Sequence, residues 1–215
     1  MIPLVYLGPS LPVTEAQGLL EADYRPPVRR GDLPERHDGP VVIIDGEFGQ
    51  NLSVSPNEIL RLLDNGTPVL GAASMGALRA AELQRYGMRG HGWIFEAYRS
   101  GRLEADDEVA LMYSPLDCRA STVPLVNVRR WLEDLRAAGA VDASTARTLL
   151  GRARRIFFAD RTEQRLCQQW TDAIGAVALR QLRNVRPEGI TDAKAADARL
   201  VLGVLRHGIH PRRRT

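Results

Sequence analysis

The stretch PVLGAASMGALRAAEL (68–83) decides how this chain is read. It opens apolar and partly β-branched, passes through small residues to Ser74, and continues as an alanine-rich helical pattern. A strand that turns directly into a helix belongs to the βα unit of a parallel sheet. Two further apolar runs, IPLVYLG (2–8) and PVVIIDG (40–46), are continuous rather than alternating, as strands buried on both faces are. With TPVLGA (67–72) they make three predicted strands. Helical patterns separate them: TEAQGLLEA (14–22), with Thr14 as a plausible cap, and SPNEILRLLDNG (55–66). The second has Ser55 as cap, proline at the first position, an early acid and a glycine just past the end.

Beyond residue 90 the pattern turns helical. GWIFEAYRSG reads as a helix ending at Gly101, and DDEVALMY (106–113) as a strand or a helix start. LVNVRRWLEDLRAAG (125–139) and DASTARTLLGRARRI (142–156) read as an αα-hairpin. TEQRLCQQWTDAIGAVALRQL (162–182) and TDAKAADARLVLGVLRHG (191–208) complete the helical half, with Thr191 as the last N-cap. The expected fold is α/β. A mainly parallel sheet occupies the N-terminal half, a helical C-terminal half packs on it, and the strand order is open to an unusual topology. The expected division is 1–115 for the α/β core carrying Ser74, 116–208 for the helical region carrying Lys194, and 209–215 for a basic tail, within one compact unit.

Composition narrows the function. The 215 residues are 44% hydrophobic and 26% charged, with a net charge of +3, which is the balance of a soluble globular protein. No apolar run reaches the ~18–20 residues of a membrane span, and the N-terminus lacks the basic start of a signal peptide. Cys118 and Cys167 form neither a metal-ligand spacing nor a disulfide framework, so a cytoplasmic setting is expected. The run GRARR (151–155) lacks interleaved aromatics, and no nucleic-acid partner is expected. Among the 29 basic residues a single one, Lys194, is lysine. Arginine stays protonated, whereas a buried lysine can lose its proton and act as a base.

In open α/β sheets, ligands gather beyond the carboxyl ends of the strands. Those ends carry GPS (8–10), DGEF (45–48) and GAAS (71–74), so Gly8, Ser10, Asp45, Gly46 and Ser74 are expected around one crevice. Ser74 lies between small residues, the local form of a nucleophile elbow, with the Met75 N–H beside it as an oxyanion donor. The other reading of Ser74 is a plain N-cap. Of the histidines, His91 is the one placed to reach the crevice. The acids of DDEVA (106–110) read as a helix start or as partners for Arg79 or Arg85.

Taken in order, VYLGPSLP, PPVRRGDL, VIIDGEF, GAASMGALRAAEL, YGM, DDEVAL, PLVNVR and KAADARLVL resemble the TfuA-like family across nearly the whole chain. The chain departs from that resemblance at Ala73, where a serine is expected, and at His91, where a small apolar residue is. The resemblance implies a protein that works beside a YcaO enzyme in peptide backbone thioamidation. It implies hydrolysis of the C-terminal thiocarboxylate of a ubiquitin-like sulfur carrier of the ThiS type by a serine–lysine pair, here Ser74 and Lys194, with sulfide released. The precursor peptide, the carrier and YcaO are the implied partners, and no metal or organic cofactor is called for. Met75 and Gly8 are the expected oxyanion donors; Ser10, Asp45, Gly46, Gly71, Arg79 and His91 are expected to line the pocket. The alternative is a non-catalytic adaptor that brings peptide and carrier to YcaO.

Overall fold

Five short strands make one all-parallel sheet in the computed structural model, which describes residues 1–49 and 52–209. They are β1 (Leu4–Tyr6), β2 (Asp23–Arg25), β3 (Val41–Ile43), β4 (Val69–Ala72) and β5 (Arg89–His91), in the order β2-β1-β3-β4-β5. This is one of the two common doubly wound orders, and it reverses between β1 and β3. Every residue of β1, β3 and β4 is buried, which is why these three strands are legible as apolar runs. The edge strands escape that signal because Asp-Tyr-Arg and Arg-Gly-His are polar and partly exposed.

The chain divides into two compact units: residues 1–106 together with the chain from Lys194 onward, and residues 107–193. In the first unit, α1 (Val13–Leu19), α2 (Pro56–Asp64), α3 (Met75–Leu83), α4 (Trp93–Arg99) and α9 (Ala193–Ile209) accompany the sheet. Strand side chains alternate between faces. Val5, Val42, Ile44, Leu70 and Ala72 pack with Ala16 of α1 and with Ala198, Val201, Leu202 and Leu205 of α9. The last four recur at one face of a helix, and each large apolar side chain buried there contributes about 1.5–3 kcal/mol. Gly71, of opposite parity, faces α3. Helix α9 therefore folds with the α/β unit, although the sequence division leaves it in the helical stretch.

Local rules account for some of the helix ends. Ser55 accepts from the Glu58 N–H and Glu58 bonds back to the Ser55 N–H, a capping box with Pro56 at the first position. Two expected caps fail. Helix α1 starts at Val13 after Pro12, with no side-chain cap, so Thr14 lies inside it. Helix α9 starts at Ala193, and the Thr191 hydroxyl donates to Asp134 instead (2.8 Å).

The second unit holds α5 (Leu125–Ala137), α6 (Ala143–Arg154), α7 (Glu163–Ile174) and α8 (Ala176–Val185). The Trp131 and Trp170 rings stack in its core, 5.1 Å between centroids. The single helical run expected over 162–182 is broken at Gly175, whose φ of +83° is left-handed. Residues 106–108 form a single 3₁₀ turn, and Tyr113 bridges to Ala120. Glu108 takes a two-pronged ion pair from Arg129, at 2.8 and 2.6 Å, and not from Arg79 or Arg85. The basic tail, from His210 on, lies outside the described residues. No helix among those described is long and apolar enough to cross a membrane.

Candidate functional site

The elbow after β4 is strained where it needs to be tight. The Ser74 N–H donates to the Ala72 carbonyl at 2.9 Å, closing a three-residue turn centred on Ala73. Ala73 has a φ of +64°, a left-handed conformation that costs a non-glycine residue about 1–3 kcal/mol. Ser74 follows at φ −107°, ψ −123°, and α3 begins at Met75. Its hydroxyl makes no capping hydrogen bond, in contrast to Ser55. Ser74 thus occupies the cap position of α3 without a side-chain capping bond.

Two glycines let this turn sit against the sheet. A Cβ on Gly76 would fall 1.7 Å from the Ile43 carbonyl oxygen, and one on Gly71 2.1 Å from the Gly76 oxygen. The Gly76 N–H donates to the Ile44 carbonyl (3.3 Å). The first turn of α3 therefore rests on the backbone at the carboxyl end of β3, one residue before Asp45.

Asp45 is the hub of the site. Its Oδ2 accepts the Gly8 N–H (2.9 Å) and the Ser10 N–H (3.0 Å), and its Oδ1 accepts the Ser10 hydroxyl (2.6 Å). These bonds join the loops after β1 and β3 at the point where the strand order reverses. They also satisfy a carboxylate that is 1% exposed and would otherwise be costly to bury. Lys194, in the first turn of α9, reaches the same carboxylate: its Nζ lies 3.7 Å from Oδ1. The Lys194 and Ser74 residues are each 2% exposed.

The remaining expected residues divide. Ser10, Asp45, Gly8 and Lys194 form one bonded cluster. Gly46 adjoins it, since a Cβ there would meet the Met75 side chain at 2.9 Å. Met75, as the first residue of α3, offers an N–H with no acceptor inside the helix. The Gly8 N–H, by contrast, donates to Asp45. Gly71 is a spacer inside β4 facing α3. Arg79 donates to the Val54 carbonyl (3.1 Å) and to Glu82 (2.7 Å). His91 ends β5 in register with Ala72. Its Nε2 is buried with no hydrogen-bond partner among the described residues. Burial, and then Arg89, hold the imidazole below the ordinary histidine value of 6.5.

One buried acid is absent from the expected set. Asp197, 4% exposed on α9, accepts the N–H groups of Trp93 (2.9 Å) and Ile94 (2.8 Å). Its sequence signal is slight: an aspartate inside the otherwise alanine-rich, apolar run KAADARLVL. Among the described residues, no group of three or more His, Cys, Asp or Glu side chains is placed to hold a metal ion.

No curated protein matches the chain. A family model described as TfuA-like protein matches residues 45–162, a segment that starts at Asp45, contains Ser74 and stops short of α9. That match covers more than half of the chain, and the protein belongs to the TfuA-like family.

Proposed function

We propose that the protein hydrolyses the C-terminal thiocarboxylate of a ubiquitin-like sulfur carrier of the ThiS type, releasing sulfide for YcaO-dependent thioamidation of a peptide backbone. Ser74 is the nucleophile and Lys194 its base. The observation that carries this reading is the burial of the chain's sole lysine, 3.7 Å from Asp45, in the unit that also holds the uncapped serine elbow.

The reaction runs in two halves. The neutral Lys194 amine takes the Ser74 proton as Ser74 Oγ attacks the thiocarboxylate carbon. The Met75 N–H stabilises the developing oxyanion, an effect of about 2.7–4 kcal/mol for one such donor. The C–S bond breaks, and the sulfur leaves with the proton carried by Lys194. The resulting serine ester is then cleaved by water, which Lys194 deprotonates, and the carrier departs as its carboxylate. In sum, thiocarboxylate and water give carboxylate and hydrogen sulfide. Ser10 holds Asp45, and Asp45 orients Lys194.

Sulfide release from a thiocarboxylated carrier, measured without YcaO, tests the reading. Ser74→Ala and Lys194→Met are expected to lower it by about a thousandfold or more, as loss of a nucleophile or base does elsewhere. Full release by both variants leaves the adaptor reading in its place.

A further inference from the structure

We infer that Asp197 is a positioning residue of this site: it ties α9 to the corner between β5 and α4 and thereby holds Lys194 against Asp45. The corner is built for this carboxylate. Gly92 occupies the cap position of α4 with a φ of +98° and has no side chain with which to cap. The two N–H groups that follow, of Trp93 and Ile94, are served instead from across the fold by the two oxygens of Asp197. A Cβ on Gly92 would lie 2.2 Å from the Asp197 carboxyl carbon, so this glycine is required by the approach of the acid.

The consequence falls on Lys194. Residues three apart lie on one side of a helix, a single turn from each other. Fixing Asp197 at two points therefore sets both the height and the rotation of the first turn of α9. The apolar contacts of Ala198, Val201 and Leu202 hold the helix on the sheet, but they are non-directional and tolerate sliding. A slip by one residue turns a helix by about 100°, which would carry the amine away from Asp45. Asp197 acts through Lys194 and takes no proton in the proposed reaction.

The single lysine makes the test clean. In the full-length protein, acetylation of Lys194 by acetic anhydride is followed by mass spectrometry, beside kcat and KM for sulfide release. The activity measurement rests on the serine–lysine reading; the acetylation measurement does not. Asp197→Asn keeps the size and loses one of the two bonds. It is expected to speed Lys194 acetylation about tenfold by local opening. It is also expected to lower kcat about 10–100-fold with KM within about twofold, the pattern of a misplaced catalytic group. Ser55→Ala, which weakens the same unit at the α2 cap, changes neither. If Asp197→Asn does not fold, Asp197→Ser, which retains one acceptor, is read the same way. A folded Asp197 variant with wild-type protection and wild-type kcat overturns the inference, as does equal exposure of Lys194 in Ser55→Ala. If the wild type releases no sulfide, the functional reading fails, and acetylation alone still decides the role of Asp197.

Discussion

Glycines at the carboxyl edge of the sheet serve close approach, a role the glycines of the second unit do not have. At the carboxyl edge of the sheet, Gly71, Gly76, Gly90 and Gly92 stand where a Cβ would strike a carbonyl, the Phe95 ring or a carboxylate. In the second unit, Gly139, Gly151, Gly175 and Gly189 have nothing within 4 Å of that position. There, glycine serves local conformation: Gly139 and Gly175 take left-handed φ at helix ends. At Gly76 and Gly92 the close neighbours, Ile43 and Asp197, are far away in sequence, whereas Gly139 and Gly175 follow rules read within a few residues.

The sharpest break of this contrast uses two serines of the first unit. Ser74→Ala removes the proposed nucleophile but no cap, so sulfide release falls about a thousandfold while urea unfolding stays near wild type. Ser55→Ala removes a cap whose loss costs about 1 kcal/mol and leaves sulfide release intact. A large loss of stability in Ser74→Ala would mean that the hydroxyl is structural.

Next in size is a pair of glycine substitutions. Gly76→Ala drives a methyl group into the Ile43 carbonyl and is expected to cost more than about 3 kcal/mol, beyond ordinary overpacking. Gly151→Ala, in the interior of α6 with open space around it, is expected to stabilise by about 0.5–1 kcal/mol. Thermal or urea unfolding of both variants checks this, and equal effects would erase the distinction between the two positions.

The smallest expected effect concerns His91. Its folded pKa lies below the unfolded value, so the unfolded chain binds a proton first as the pH falls. Stability is therefore full above about pH 6.5 and declines as the pH drops from there through the folded value. His91→Leu, which also removes the unpartnered Nε2, is expected to flatten that decline in urea midpoints measured from about pH 7.5 to 5.5. An unchanged slope would show that the imidazole titrates as freely in the fold as out of it.

How much of this was legible differs by element. The three central strands show in the sequence because burial on both faces makes them uniformly apolar. The α5–α6 hairpin shows because amphipathic spacing repeats within one helix. The edge strands β2 and β5 do not, since pairing on one side leaves them polar. The division of 162–182 at Gly175 is missed because a single glycine is compatible with a helix until its φ is known. Ser74 and Lys194 are conspicuous by type, one at an elbow and one as the only lysine. Asp197 is not, because an acid within a helix is ordinarily solvated, and its partners are backbone groups about a hundred residues earlier.

By itself the sequence determined the parallel α/β character, the capping of α2 and the helical second half, and it marked Ser74, Asp45 and Lys194 as candidates. Periodicity and capping are local free energies, written within a turn or a strand. Only the tertiary structure decided the strand order, the binding of the Gly8 N–H to Asp45, the approach of Lys194 to that carboxylate and the capping of α4 from α9. Those outcomes depend on how a helix registers against a sheet, which many weak contacts settle together and no short stretch of chain encodes.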